Sequence, residues 1–303
     1  MDQVIYVENL RHTYNDVVAV DDISFFVKRG EIFGLLGPNG AGKSTTTEIL
    51  VGLKKRKAGL VKVLGFDPQD SDNEFKKRIG VQLQTPALFE RLKVKEMLHL
   101  FASFYPQPLK VKETLELVGL EEKQNTLSSK LSGGQLQRLS VALALISNAD
   151  IIFLDEPTTG LDPQSRRGMW DVIEDLQKQG KTIFLTTHYL DEAEKLCGRV
   201  AIVDYGKIIA LGTPEELIHY HFAEQALEFN IPVEKRHLLA STVEGAKIEF
   251  NENRATVYTT EVVSTVASLL SLKDNGFKLD SLTVRGATLE DVFLKLTGRR
   301  IRE

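Results

Sequence analysis

The chain has 303 residues, of which 42% are hydrophobic and 26% charged, and its formal net charge at pH 7 is −4. This is an ordinary globular composition, long enough for one large core and a smaller domain. A slightly negative net charge does not indicate the excess of basic residues that is typical of nucleic-acid-binding proteins, so we expect no nucleic-acid partner.

Targeting and membrane signals are absent from the sequence. The residues after Met1 show no basic region followed by an apolar stretch, so we expect no secretory signal. No apolar run approaches the roughly 18 residues that a spanning helix needs, so a membrane role requires a partner chain. The chain contains one cysteine, Cys197, which excludes an intrachain disulfide and fits a reducing compartment.

Short apolar runs alternate with helical segments along the first two thirds of the chain. Val4–Leu10 alternates apolar and polar residues, like a half-buried strand. Helices are predicted at Ser44–Leu53 and Arg166–Gln179. Further strands are predicted at Ile32–Leu36, Val61–Leu64, Ile79–Leu83, Ile151–Leu154 and Thr182–Thr186. This alternation predicts an α/β fold with a parallel sheet.

Two regions differ from this pattern. Between Val94 and Lys130, leucines and glutamates recur at helical spacing, so about residues 90–135 are interpreted as a helical subdomain inserted in a domain of residues 1–217. Residues 218–303 are interpreted as a small α+β domain without catalytic features. Its predicted strands are Leu227–Ile231, Ala246–Phe250, Ala255–Thr259 and Leu279–Val284, and its predicted helices are Glu261–Leu272 and Leu289–Leu296.

Residues 37–44 read GPNGAGKS and match the phosphate-loop pattern G-x-x-x-x-G-K-[ST] between a strand and a helix. Backbone N–H groups of such a loop surround phosphate oxygens, Lys43 can reach the β- and γ-phosphates, and the Ser44 hydroxyl suits Mg²⁺. The predicted nucleotide-binding residues here are Gly37, Pro38, Asn39, Gly40, Ala41, Gly42, Lys43, Ser44 and Thr45.

Two acids follow the apolar run Ile151–Leu154, at the strand end where open α/β sheets bind ligands. We expect Asp155 to hold Mg²⁺ and Glu156 to polarise the water that attacks the γ-phosphorus. Paired acids after a strand can also form only a solvated turn. The phosphate loop upstream favours the catalytic interpretation.

Residues 131–135 read LSGGQ, a serine and two glycines at the start of a predicted helix. Free N–H groups and the helix dipole make such a turn a second anion site, although an ordinary serine cap has the same features. With this motif the sequence resembles the ATP-binding subunits of ABC transporters, over about Val4 to Leu217. The resemblance implies that Ser132, Gly133, Gly134 and Gln135 contact the γ-phosphate held by a second subunit.

The resemblance also assigns roles to single residues. It implies that Tyr14 stacks on adenine, that Asp162 communicates between subunits and that His188 contacts the γ-phosphate. Gln84 matches the glutamine that senses Mg²⁺ and the attacking water, with Gln82 as a rival. The implied catalytic set is Glu156, His188, Gln84 and Lys43, and the implied metal-binding set is Ser44, Gln84 and Asp155.

The fold implied is a P-loop NTPase core of the ABC ATPase type, with ATP and Mg²⁺ as cofactors. The implied function is ATP hydrolysis at the cytoplasmic face of the membrane, by a homodimer that drives a separate membrane-spanning permease. The tail reads LTV at residues 282–284 and TLEDVF at residues 288–293, and there it resembles the tail of drug-exporter-type systems. This resemblance favours export of a drug, lipid or other hydrophobic cargo. The alternatives are an importer ATPase and a soluble ABC ATPase of DNA repair or translation.

Overall fold

The computed structural model describes residues 2–70, 73–84, 88–222, 225–243, 246–251, 254–271 and 281–299. The chain divides into two units between Pro214 and Glu215, whereas the sequence places the domain boundary after Leu217. None of the helices in the described ranges combines the length and apolar character of a bilayer-spanning segment.

The first unit is built on a mostly parallel sheet. Its strands in chain order are β1 (Gln3–Tyr14), β2 (Val17–Lys28), β3 (Ile32–Leu36), β4 (Ala58–Val63), β5 (Ile79–Gln82), β6 (Ile151–Asp155), β7 (Thr182–Thr187), β8 (Arg199–Asp204) and β9 (Lys207–Gly212). In the described part, the main sheet has the order β5-β6-β7-β3-β8-β9. All its pairs are parallel except β8 with β9. Strands β3, β6 and β7 are buried at every position, as apolar runs between helices require.

A second, antiparallel sheet of order β2-β1-β4 covers one side of the unit. Aromatic rings join the two sheets: Phe25 of β2 stacks on Phe33 of β3 with ring centres 5.3 Å apart. Phe33 lies 6.0 Å from Phe184 of β7, which in turn lies 5.6 Å from Phe153 of β6. One apolar core therefore holds both sheets together.

The helices of the first unit are α1 (Lys43–Leu50), α2 (Asn73–Lys77), α3 (Val94–Ala102), α4 (Val111–Val118), α5 (Gly133–Leu145), α6 (Pro163–Lys178) and α7 (Leu190–Leu196). Helices α3 and α4 contact each other and α5, and α5 also packs on β5. The segment of predicted helical character thus contains α3 and α4, and α5 connects it to the main sheet.

Close packing between β3 and the end of α7 depends on Gly34. A Cβ on Gly34 would lie 2.6 Å from Sγ of Cys197, which follows α7. Cys197 is 5% exposed, and burial raises the pKa of its thiol. The thiol is therefore protonated and enclosed in the core.

The second unit is a small antiparallel sheet with helices. Its elements are α8 (Pro214–His221), β10 (Gln225–Asn230), α9 (Arg236–Thr242), β11 (Lys247–Asn251), β12 (Arg254–Thr259), α10 (Val262–Ser271), β13 (Thr283–Arg285) and α11 (Leu289–Thr297). The described strands have the order β11-β12-β10-β13. Apolar residues of β10 and β12, among them Phe229 and Val257, pack with Leu239 of α9 and Leu269 of α10.

The predicted fold class is confirmed, but several elements were missed. The sequence analysis did not predict the strands β2, β8 and β9 or the helices α2, α7, α8 and α9. Strand β2 escapes detection because bulges interrupt its pairing with β1, which breaks a simple period of two. Of the predicted strand Leu279–Val284, residues 279 and 280 lie outside the described residues, as does Leu272 at the end of the predicted helix before it.

Candidate functional site

The glycine-rich loop lies between β3 and α1. Gly42 directly precedes α1 with a φ of +98°, in the left-handed region that favours glycine. A Cβ on Gly42 would also lie 2.3 Å from the carbonyl oxygen of Ala19 on β2. The first N–H groups of α1 have no partner inside the helix, so this turn is suited to bind an anion.

The ammonium group of Lys43 lies inside this loop. Its Nζ donates to the carbonyl oxygens of Gly37 at 2.8 Å and Pro38 at 3.1 Å, and lies 3.2 Å from Oε1 of Glu156. Burial lowers the pKa of Lys43, and the carboxylates of Glu156 and Asp155 oppose that shift. The cation therefore lies between the phosphate loop and the two acids at the end of β6.

Asp155 is the last residue of β6 and is 2% exposed. Its Oδ1 accepts a hydrogen bond from the hydroxyl of Thr186 on β7. Burial raises the pKa of Asp155, and hydrogen bonds from Thr186 and Ser44 oppose the rise. A serine hydroxyl and a carboxylate thus lie together beside the phosphate loop, and these are oxygen donors of the kind that Mg²⁺ prefers. The residues present fit a magnesium ion.

Several side chains converge on the carboxylate of Glu156. Its Oε2 accepts hydrogen bonds from Nε2 of Gln84 at 3.3 Å and from Oγ1 of Thr159 at 3.3 Å. Nδ1 of His188 lies 3.1 Å from the same oxygen, in a direction that does not meet hydrogen-bond geometry. The backbone of Glu156 has a φ of +51°, which is uncommon for a residue with a side chain.

These neighbours keep Glu156 ionised. Burial by itself raises the pKa of this carboxyl, but the contact with His188 and the charge of Lys43 outweigh burial and lower the pKa to about 2. Glu156 is therefore a carboxylate near neutral pH, the form that can accept a proton from water.

The structure separates the two glutamines that the sequence left as rivals. Gln82 is 1% exposed, and its Nε2 donates to the backbone carbonyls of Leu83 at 2.8 Å and Asp155 at 3.1 Å. Gln84, beyond the end of β5, contacts Glu156 and lines the cavity above it. Gln84 thus lies at the site, and Gln82 supports the strand that carries Asp155.

A cavity of about 370 Å³ opens over the loop. Its lining residues are Tyr14, Ala19, Asn39, Gly40, Gly42, Lys43, Ser44, Thr45, Gln84 and Glu156. The ring of Tyr14 is 43% exposed, its hydroxyl lies 3.2 Å from Oγ1 of Thr45, and Nζ of Lys54 lies 4.4 Å from its centre. An exposed aromatic ring beside a phosphate loop can stack on a nucleotide base. Gly37, Pro38 and Ala41 belong to the loop without being among these lining residues.

The LSGGQ segment forms the N-terminus of α5. Oγ of Ser132 accepts a hydrogen bond from the backbone N–H of Gln135 at 3.4 Å, and Oε1 of Gln135 accepts one from the N–H of Ser132 at 3.1 Å. This is a capping box. Ser132 and Gly133 are exposed, and residues 132–135 are not among those that line the cavity. The segment thus presents an accessible helix N-terminus, separate from the cavity wall described above.

Asp162 caps the helix that follows the acid pair. Its Oδ1 accepts hydrogen bonds from the N–H groups of Gln164 and Ser165, both at 3.0 Å. Hydrogen bonds from Ser165 and Gln164 lower the pKa of Asp162. The structure gives this exposed residue a capping role and does not place it among the lining residues of the cavity.

Comparisons with known proteins identify the family of this chain. A family model described as ABC transporter matches residues 20–159. The chain is 38% identical over 310 residues to the Nod factor export ATP-binding protein I of Ralstonia nicotianae, covering 99% of this chain and 95% of that protein. This chain belongs to the ABC transporter ATP-binding proteins. It is also 37% identical over 310 residues to the protein of the same name from Cupriavidus metallidurans, with 100% of both chains covered.

As an ABC transporter ATP-binding subunit, the chain binds ATP and is an ATPase. Its structure is similar to the dimeric structure of a post-hydrolysis state of an ATP-binding cassette bound to ADP and Pi, with a TM-score of 0.64 and 28% identity. That match covers 98% of the cassette and 69% of this chain. This chain therefore has residues beyond those that the cassette aligns with.

Sequence reasoning missed several contacts of this ABC ATPase site. Thr186 and Thr159 donate to the two acids, and the carbonyl of Ala19 lies against the loop. Nε2 of Gln137, on α5, donates to the backbone carbonyl of Glu156 at 3.2 Å. Thr186 lies near the carboxyl end of β7, two residues before His188, and polar residues at that end of a parallel strand are a signal that could have found it. Ala19 carries no such signal.

Proposed function

We propose that this chain is the ATPase subunit of an ABC exporter, at the cytoplasmic face of a membrane, with a separate membrane-spanning permease as its partner. The observation that carries the proposal is the convergence of Lys43, Asp155, Glu156, Gln84 and His188 at one site beside the phosphate loop. Export is supported by the relatives, each of which is named Nod factor export ATP-binding protein I. We leave the cargo of this chain open.

In the proposed reaction the phosphate loop and Lys43 bind the phosphates of ATP. Lys43 lies 3.2 Å from Glu156, so its move onto phosphate oxygens releases the carboxylate to contact water. Ser44, Asp155 and Gln84 are the residues that would hold Mg²⁺, which neutralises charge on the phosphate oxygens when bound.

Glu156 orients the attacking water and accepts its proton at a carboxylate oxygen. His188 and Gln84 contact Oε2 of Glu156 and so fix the direction of that oxygen. Phosphoryl transfer to water needs positioning and charge neutralisation more than covalent chemistry, and these contacts supply positioning.

A second copy of the chain completes the site in this proposal. Ser132 and Gly133 are exposed, and residues 132–135 lie outside the cavity lining of their own chain, so this segment is accessible to the γ-phosphate held by a partner subunit. The similar ATP-binding cassette is dimeric, which supports the pairing of two copies. Hydrolysis removes the bridging phosphate, so the dimer loses contacts and opens.

We further propose that residues 1–217 are the ATPase domain, with its helical part at about 90–135 in contact with the permease. The remaining residues, 218–303, are an accessory domain. An importer ATPase and a soluble ABC ATPase are the alternatives, and the names of the relatives favour the exporter.

The proposal is tested with the Glu156→Gln variant, tagged and expressed in cells. Removal of the carboxylate should abolish hydrolysis while ATP binding persists, so the closed complex accumulates. After mild solubilisation with ATP present, we expect a multi-spanning membrane protein to co-purify with the variant, and mass spectrometry identifies it.

The matched control is Glu122→Gln, which removes an exposed carboxylate from the same unit. The control should hydrolyse ATP at the wild-type rate. Hydrolysis at that rate by Glu156→Gln would refute the catalytic assignment. Recovery of Glu156→Gln only with ribosomes or DNA would instead support the alternative, a soluble ABC ATPase of translation or DNA repair.

A further inference from the structure

The second unit contains a cavity that the ATPase reaction does not use. Its volume is about 670 Å³, and it lies between α8, the strands β11 and β12, and α11. Aromatic side chains from separate elements form part of its wall: Tyr220, Phe222 and Tyr258. Leu294 of α11 adds an aliphatic surface. Cavities of about 300–1,000 Å³ with mainly apolar walls and a few polar groups are typical of small-molecule sites.

Most charges at this cavity are already paired. Nζ of Lys247 lies 2.7 Å from Glu249, which also accepts a hydrogen bond from the hydroxyl of Tyr258 at 3.2 Å. Asp291 is bound by Arg285 at 2.6 Å. These pairs leave no carboxylate of the cavity wall free to bind a cation.

Lys295 differs from these groups. Its Nζ donates to the backbone carbonyl of His221 at 2.5 Å and lies 4.7 Å from the ring centre of Phe222. Among the residues that the structure describes, no carboxylate lies within ion-pair distance of Lys295. Burial and the charge of Lys295 lower the pKa of His221, so its ring is neutral near pH 7.

We propose that this cavity binds a small amphipathic anion, with an apolar body against the aromatic wall and a carboxylate on Lys295. The ammonium of Lys295 has no carboxylate partner among the described residues, so it favours an anion, because a carboxylate gains a charge-assisted hydrogen bond there. The rings of Phe222 and Tyr258 bury the apolar body, and Tyr220, which is 84% exposed, is available to cover it. All the residues that line this cavity belong to the second unit.

The test uses dodecanoate as the probe and the purified full chain without nucleotide. Isothermal titration calorimetry should show binding of dodecanoate. The Lys295→Gln variant should bind it about tenfold or more weakly, since hydrogen bonds to charged groups are worth that much. Lys295 is exposed, so the variant should fold, and circular dichroism checks this.

Two controls separate the proposed site from non-specific adsorption of the alkyl chain. The Lys112→Gln variant loses the same charge from a side chain in the first unit that is 87% exposed, and it should bind like the wild type. Dodecyltrimethylammonium has the same alkyl chain with a positive head and should bind at least tenfold more weakly. No binding of dodecanoate, equal affinity for Lys295→Gln and wild type, or equal binding of the cation would each overturn the proposal.

Discussion

Gly42 shows how a single residue is constrained by its backbone and by its neighbours. Its φ of +98° and the approach of the Ala19 carbonyl both exclude a side chain. Gly168, in the middle of α6, contrasts with it, because a Cβ at Gly168 would meet nothing within 4 Å. The two positions therefore predict opposite outcomes for the same substitution.

Gly42→Ala should weaken ATP binding at least about tenfold, because the left-handed conformation costs an alanine about 1–2 kcal/mol before the clash with Ala19 is added. Gly168→Ala should instead raise the free energy of unfolding by about 0.5–1 kcal/mol, since glycine weakens a helix interior. Nucleotide titration and urea unfolding measure the two effects. ATP binding by Gly42→Ala as tight as wild type would contradict the loop geometry described.

The sequence predicted most directly the site residues that follow one another in the chain. The phosphate-loop residues were predicted together because their spacing itself encodes the turn and the helix start. The sequence favoured Gln84 but kept Gln82 as a rival, since the choice depends on β5 ending at Gln82. Ala19 was missed because it reaches the loop only through the fold of β2, which no local pattern encodes.

At the scale of elements, Glu192 of α7 connects parts of the chain that surround the site. It is fully buried, and its Oε1 accepts hydrogen bonds from the hydroxyl of Thr158 at 2.8 Å and from Nε1 of Trp170 at 3.0 Å. Thr158 follows the acid pair and Trp170 lies on α6. Burial raises the pKa of Glu192, against hydrogen bonds from its neighbours.

This predicts a pH dependence of stability. In the folded chain the pKa of Glu192 is above its ordinary value of 4.5. The folded chain therefore binds a proton at Glu192 more tightly than the unfolded chain does. The stabilisation from the protonated form is complete below the unfolded pKa and is lost as pH rises through the folded pKa. Glu192→Gln does not titrate, so its stability relative to wild type should increase as pH rises above about 4.5.

Urea unfolding of Glu192→Gln and of the wild type across the acid-to-neutral range measures this difference. A difference that stays constant or falls with pH would show that Glu192 is not held protonated. Glutamine has nearly the same shape as glutamate and can keep the hydrogen bonds from Thr158 and Trp170. A pH-dependent difference in stability therefore reports the charge of Glu192 and not the shape of its side chain.

At the scale of the whole molecule, the exposed N-terminus of α5 should contribute to dimerisation and not to ATP binding by its own chain. Ser132→Arg places a bulky cation where the proposed partner phosphate binds. In the Glu156→Gln background, gel filtration with ATP should show a dimer, and adding Ser132→Arg should leave a monomer that still binds ATP. Ser103→Arg, at an exposed serine of the same unit, is the control and should keep the dimer. An ATP-dependent dimer in the Ser132→Arg variant would argue against the head-to-tail arrangement.

The packing of Cys197 against Gly34 gives the molecule an intrinsic reporter. The chain has one thiol, and a thiol reagent attacks only its deprotonated form, which burial disfavours. Modification therefore requires β3 and α7 to separate first. When reclosing is fast, the labelling rate measures the free energy of that opening. Because ATP binds the same unit, it should protect the thiol in proportion to its occupancy, and nucleotide affinity becomes measurable as a labelling rate without any added dye or tag.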